Sequence, residues 1–68
     1  MVVNQLARRI RAFRKLKGFT QTELAESVHV SIAIIGAIER GAKKADASLI
    51  QRISEVLGVD QQELMGPM

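Results

Sequence analysis

The side chains of this sequence that could bind a partner are mostly cations, and most of them lie near the N-terminus. Residues 1–20 contain six cations and no acid, whereas residues 21–68 contain four cations and seven acids, so charges of +6 and −3 sum to +3. A concentrated basic segment suits nucleic acid or an anionic membrane, although it also fits the solvated face of a helix. The six cations are Arg8, Arg9, Arg11, Arg14, Lys15 and Lys17.

Residues suited to catalysis or metal binding are scarce. The chain has no Cys and a single His, His29, so disulfides and thiolate metal sites are excluded. The carboxylates form no paired cluster, and no Gly-rich phosphate loop follows a strand. We therefore expect no enzyme and no cofactor. Because Cys is absent and no apolar run approaches the ~20 residues that span a bilayer, we expect a cytoplasmic protein without a membrane partner.

Five short helices are expected to carry these side chains. The first has an apolar stripe at spacings of three and four residues and ends at Gly18. The second runs from about Gln21 to Val28, behind the capping-box pair Thr20 and Glu23. The stripe of the first helix comprises Val3, Leu6, Ile10, Phe13 and Leu16.

The stretch of residues 21–40 has the spacing of two helices joined by a tight turn. Ser31 is a favourable N-cap for a third helix that ends near Arg40, and only His29 and Val30 precede this cap. His29 holds a turn position that usually needs positive φ, so we expect a structural role for it rather than a ligand role. The positions that such a pair must bury are small or apolar, namely Leu24, Ala25, Val28, Val30, Ile35 and Ile38.

The rest of the chain predicts a basic loop and two more helices. The loop, residues 42–45, contains Lys43 and Lys44. Asp46 is the expected N-cap of a fourth helix that reaches Leu57, and Asp60 that of a short fifth helix. The predicted fold is therefore all-α, a compact five-helix domain over residues 1–68 with its core in about residues 3–65.

From Leu6 to Met65 the sequence resembles the lambda-repressor/Cro-like, or XRE-like, helix-turn-helix family. The matching strings are IRAFRKLKGFTQTELAESVHVS, IERG and ISEVLGVDQQELM. The resemblance implies a DNA-binding transcriptional regulator, a bacterial or phage-type repressor that inserts the helix of residues 32–40 into the major groove of double-stranded DNA. The family also includes activators and antitoxins.

The resemblance further implies a set of phosphate contacts. In the family, the Gln that opens the second helix contacts phosphate, and Gln21 matches it. An Arg of the first helix packs toward a Glu of the third and also reaches phosphate; Arg14 and Glu39 match this pair, as a structural ion pair or a phosphate contact. The loop after the third helix lies along the DNA backbone. The expected phosphate contacts are Arg14, Thr20, Gln21, Lys43 and Lys44.

The third helix departs from the family pattern, because few of its outward positions can form a hydrogen bond. We favour an interpretation in which the slim helix sits deep in the groove and reads thymine methyls and DNA shape, with discrimination below ~1000-fold. Alternatively, the apolar surface around Ile32 docks a protein, as in an antitoxin or a regulator's partner, with weak or no specific DNA binding. On a helical wheel the outward positions are Ala33, Gly36, Ala37 and Arg40. The expected groove contacts are Ser31, Ile32, Ala33, Gly36, Ala37 and Arg40.

The family's symmetry also bears on this chain. Most members bind DNA as two-fold dimers, which places half-sites about 34 Å apart. After the fifth helix only residues 66–68 remain, so we expect a weak homodimer, formed mainly on DNA, through Leu64, Met65 and the last helices.

Overall fold

The computed structural model describes residues 5–66, and these fold into five α-helices without a strand. The predicted all-α class is confirmed. Val3 and residues 67–68, which the predicted stripe and domain include, lie outside the described residues. The helices are α1 (Gln5–Leu16), α2 (Gln21–Ser27), α3 (Ile32–Glu39), α4 (Ala47–Leu57) and α5 (Gln61–Met65).

Side-chain caps determine where three of the helices begin. Thr20 Oγ1 accepts a hydrogen bond from the Glu23 backbone N–H (3.0 Å), and Glu23 Oε1 accepts one from the Thr20 N–H (2.9 Å). This confirms the predicted capping box. Ser31 and Asp46 cap α3 and α4, each accepting from the backbone N–H three residues later. The predicted starts of α2, α3 and α4 are confirmed.

The start of α5 differs from the prediction in one respect. Asp60 occupies its N-cap, but its exposed side chain makes no capping hydrogen bond. Tertiary contacts hold this short helix instead: Leu64 is fully buried, and Arg9 Nη1 donates to the Glu63 carbonyl (3.0 Å). Burial of an aliphatic side chain stabilises by about 1.5–3 kcal/mol, which is more than a typical cap contributes.

The tight turn between α2 and α3 forms as predicted. His29 takes a φ of 63°, in the left-handed region, and is exposed. The Val30 N–H donates to the Ala25 carbonyl (3.0 Å), and Val30 packs half-buried against the core. The five other positions predicted to be buried in this helix pair are indeed buried: Leu24, Ala25, Val28, Ile35 and Ile38.

One aliphatic cluster fills the space between the helices, with a contribution from each of them. Its members are Ile10, Leu24, Ala25, Val28, Ile35, Ile38, Leu49, Ile50, Ile53, Leu57 and Leu64. Leu64 is therefore part of the core, and its predicted place on a dimer surface is wrong. Within residues 5–66 no helix combines the length and apolar character needed to cross a membrane.

The predicted stripe of α1 is confirmed at Leu6, Ile10 and Phe13, which lie in or against the core, and it is wrong at Leu16. Leu16 is 75% exposed, whereas Ala7 and Arg14 are buried beside Ile10. Leu16 follows Ile10 by six residues, which places it about 120° away around a helix of 3.6 residues per turn. Ala7 and Arg14 lie about 60° or less from Ile10 on the other side, where Arg14 donates a hydrogen bond to Glu39 of α3. The prediction fails at Leu16 because two successive spacings of three residues, from Ile10 to Phe13 and from Phe13 to Leu16, turn the position away from the core.

Candidate nucleic-acid interface

The two sides of α3 have opposite characters. Its inner side, with Ile35 and Ile38, is part of the core. On its outer side the N-cap Ser31 and the first two helical residues, Ile32 and Ala33, are exposed, with Ile32 49% exposed. Because α3 is anchored on one side and free on the other, its outer side is available to a groove of DNA. Of the six predicted groove contacts, the exposed ones are Ser31, Ile32, Ala33 and Arg40.

A buried ion pair holds the end of α3 against α1. Arg14 Nε donates to Glu39 Oε2 (2.6 Å), and Arg14 Nη2 donates to Glu39 Oε1 (3.1 Å). Arg14 Nη1 donates to the Phe19 carbonyl (2.8 Å) in the turn that leads to α2. A two-pronged arginine–carboxylate pair restricts both position and orientation, because the guanidinium and the carboxylate are planar. The structure thus brings Arg14 and Glu39 together and commits most of the guanidinium to protein contacts.

Gln21 joins this pair from the first position of α2. Its Nε2 donates to Glu39 Oε1 (3.0 Å), so the carboxylate receives hydrogen bonds from α1 and α2 together. We call Arg14, Gln21 and Glu39 the anchoring triad. The triad links the end of α1, the start of α2 and the end of α3. It therefore determines how the outer side of α3 is presented.

The remaining predicted phosphate contacts lie at the surface near the ends of the helix pair. Thr20 is exposed, and its hydroxyl oxygen already caps α2. Lys43 and Lys44 are exposed in the loop after Gly41, whose φ of 78° turns the chain out of α3. Neither ammonium group forms a hydrogen bond or ion pair with any of residues 5–66. Their charges are therefore available to an anionic partner.

Gly36 lies on the outer side of α3, as the helical wheel predicts, but it is covered by a side chain rather than open to solvent. It is buried, because the side chain of Arg40 lies over it. A Cβ atom built on Gly36 would be 3.1 Å from Arg40 Nη1 and 3.9 Å from Gln21 Oε1. Side chains of a helix lean toward its N-terminus, so a long side chain covers the residue four positions earlier. Ala37, the neighbouring small residue, is half-buried.

Several hydrogen bonds between distant segments were not predicted, in contrast to the Arg14–Glu39 pair. Besides the Gln21–Glu39 contact, Arg52 Nη1 of α4 donates to the Val28 carbonyl at the end of α2 (3.0 Å). Residues 28 and 52 share no motif, so no sequence signal could have paired them. In the described part of the chain, no group of three or more His, Cys, Asp or Glu residues could hold a metal ion.

Comparison with known proteins agrees with this geometry. A helix-turn-helix family model matches residues 10–64. The uncharacterized HTH-type transcriptional regulator YazB of Bacillus subtilis is 48% identical over 60 residues, which cover 88% of this chain and 87% of YazB.

Two solved structures superpose closely on the described fold. The N-terminal DNA-binding domain of SinR from Bacillus subtilis is 29% identical, with a TM-score of 0.87 and coverage of 96% of both chains. The clp gene regulator ClgR from Corynebacterium glutamicum is 33% identical, also with a TM-score of 0.87. That match covers 90% of this chain and 65% of the ClgR chain.

Proposed function

Because this chain belongs to the helix-turn-helix family and is a DNA-binding transcriptional regulator, we propose that it binds double-stranded DNA as a repressor with α3 in the major groove. The observation that carries this proposal is the anchoring triad, which fixes α3 with its outer side exposed. A protein that holds promoter DNA in this way lowers transcription by excluding other proteins from the same site.

Phosphate contacts supply most of the affinity in this proposal. Lys43 and Lys44 have uncommitted charges, and each phosphate that a cation neutralises releases counterions and steepens the salt dependence. Thr20 and Gln21 contact phosphate at the start of α2, with the Gln21 amide nitrogen shared with Glu39. Arg14 contributes chiefly by holding Glu39, and it reaches phosphate only through the edge of its guanidinium.

Contacts in the major groove supply less of the affinity than the phosphate contacts do. The six proposed contacts are unchanged, but four of them, Ile32, Ala33, Gly36 and Ala37, have no hydrogen-bonding side chain. Apolar contact with thymine methyls and sensitivity to DNA shape then carry part of the discrimination. We expect the preferred site to be bound less than ~1000-fold more tightly than random DNA at physiological salt.

The assembly on DNA is proposed to be a weak homodimer. Met65 is 54% exposed at the end of α5 and remains a candidate for its surface, whereas Leu64 is excluded by burial. Two copies would then contact half-sites about 34 Å apart. We further propose that this regulator is a single-domain, cytoplasmic protein without catalytic activity. Apolar residues from all five helices share one cluster, which supports the single domain.

The test is binding to a random-sequence duplex pool, measured by fluorescence anisotropy over a salt series and followed by sequencing of the bound fraction. We expect a steep loss of affinity with salt and enrichment of a palindromic or T-rich site. Salt-dependent binding without any enrichment would contradict sequence reading. Complete lack of binding at low salt would contradict the proposed DNA contacts.

That last outcome would favour the alternative, a protein-interaction module such as an antitoxin or a regulator's partner. One observation supports this alternative, namely the half-exposed Ile32 at the start of α3. The other three isoleucines of α3 are buried or half-buried, so the apolar surface there is small. For this reason we place DNA binding first.

A further inference from the structure

The outer side of α3 has one side chain with several uncommitted hydrogen-bond donors, that of Arg40. Among residues 5–66, no partner accepts a hydrogen bond from its guanidinium, whereas those of Arg9, Arg14 and Arg52 each donate to a protein oxygen. The Ser31 hydroxyl already caps the α3 backbone at 3.3 Å. The remaining outer residues have no polar side-chain atoms.

The position of this guanidinium depends on Gly36. Arg40 follows the last residue of α3, yet its Nη1 lies only 3.1 Å from the point that a Cβ on Gly36 would occupy. The charged group therefore sits back along the helix rather than beyond its end. A Cβ atom at position 36 would make Nη1 shift by a few tenths of an ångström, because real Cβ atoms seldom have so close a neighbour.

Gln21 borders the same space on the α2 side. Its Nε2 is held by Glu39, which turns its Oε1 toward Gly36, 3.9 Å from the same Cβ position. Gln21 Oε1 and Arg40 Nη1 therefore both border the space over Gly36, and the partial negative charge of the oxygen favours a cation in that space. Gln21, as a member of the anchoring triad, thus lies on one side of the space that the Arg40 guanidinium occupies.

We infer that Arg40, seated on Gly36, is the principal base-reading side chain of this protein and that the base it takes is guanine. This inference rests on the proposed insertion of α3 into the major groove. A planar guanidinium with free donors matches the O6 and N7 acceptors of guanine, the two groups that this base presents in the major groove. In this role Gly36 is a positioning residue for the Arg40 side chain.

The experiment uses the site enriched from the duplex pool, with single guanines replaced by 7-deazaguanine, which lacks the N7 acceptor. We expect one guanine per half-site at which this replacement weakens wild-type binding about tenfold or more. Inosine at the same position is the matched control, because it keeps O6 and N7 and loses only the minor-groove amino group. Inosine should therefore leave the affinity nearly unchanged.

Variants assign the effect to Arg40. Arg40→Gln should bind the unmodified site about tenfold less tightly and should no longer respond to 7-deazaguanine. Arg8→Gln, which removes an exposed cation from α1, is the charge-matched control and should keep the full response. A 7-deazaguanine response that persists in Arg40→Gln would overturn the inference.

The variant Gly36→Ala tests whether Gly36 positions the Arg40 guanidinium. It should keep or raise the thermal midpoint, because Ala favours a helix more than Gly does, and it should reduce the guanine preference severalfold. In the Arg40→Gln background it should have no further effect on binding. A folded Gly36→Ala protein with unchanged guanine preference would overturn the positioning role. If no site is enriched at all, the proposed sequence reading fails instead, and this inference fails with it.

Discussion

The anchoring triad and the outer side of α3 differ in how many of their polar groups are paired. At the anchoring triad, three polar side chains from three helices satisfy one another almost completely. On the outer side of α3, one free guanidinium lies among small and apolar residues. The first region is specified in detail and faces the protein. The second is nearly bare and faces solvent. Most polar side chains around α3 therefore serve to hold the helix in position, and few remain to form hydrogen bonds with DNA bases.

We expect the largest loss of stability from a variant that breaks the anchoring triad. Glu39→Ala leaves the Arg14 charge buried without its carboxylate, which should lower the free energy of unfolding by about 3–5 kcal/mol. Urea denaturation followed by circular dichroism measures this change. The exposed Glu26→Ala variant of α2 is the control and should change stability by less than about 0.5 kcal/mol. A loss below about 1 kcal/mol in Glu39→Ala would mean that the triad is not an anchor.

The second prediction compares an Ile→Ala substitution on the inner side of α3 with one on its outer side. Ile35→Ala removes a fully buried side chain and should cost about 2–5 kcal/mol of stability, because it leaves a cavity in the core. Ile32→Ala, on the half-exposed outer side, should cost less than about 0.5 kcal/mol. Thermal unfolding of both variants gives the comparison directly. Equal losses would show that Ile32 is packed and that the outer side is not free.

The third prediction concerns the phosphate contacts of the basic loop and is tested by DNA binding. The double variant Lys43→Gln/Lys44→Gln should weaken binding to all sequences alike and reduce the slope of log affinity against log salt by about 2. Its sequence preference should not change, because neither side chain is proposed to read bases. Exposed Lys17 of the turn after α1 offers the control variant Lys17→Gln. An unchanged slope in the double variant would remove the loop from the interface.

The smallest effect concerns the capping box beside the triad. Thr20→Ala should lower stability by about 1 kcal/mol, because the Glu23 backbone N–H loses its acceptor. Thr22→Ala, at an exposed position within α2, is the matched control and should have little effect on the start of the helix. Hydrogen exchange of the Glu23 amide reports the cap locally. Equal protection of this amide in the two variants would contradict the role of Thr20.

The sequence predicted the helices and most of their buried positions, and it failed at particular residues. The starts of α2, α3 and α4 follow from Thr20, Ser31 and Asp46, each of which interacts only three residues away. Leu16 and Leu64 were placed on the wrong sides, because the direction of the core around a helix depends on what packs against it. The candidate site was partly predictable, since the family resemblance named its members and the Arg14–Glu39 pair, but not the hydrogen bond from Gln21 to Glu39.

The residues by themselves determined the helices, their caps, the tight turn at His29 and the basic loop, because each depends on interactions within about one helical turn. Only the tertiary structure decided that Glu39 binds Gln21, that Arg14 is buried and that Arg40 covers Gly36 beside Gln21. Residues 14, 21 and 39 meet only after three helices have packed at particular angles. The core that sets those angles is a collective property of all five helices, which no local pattern contains.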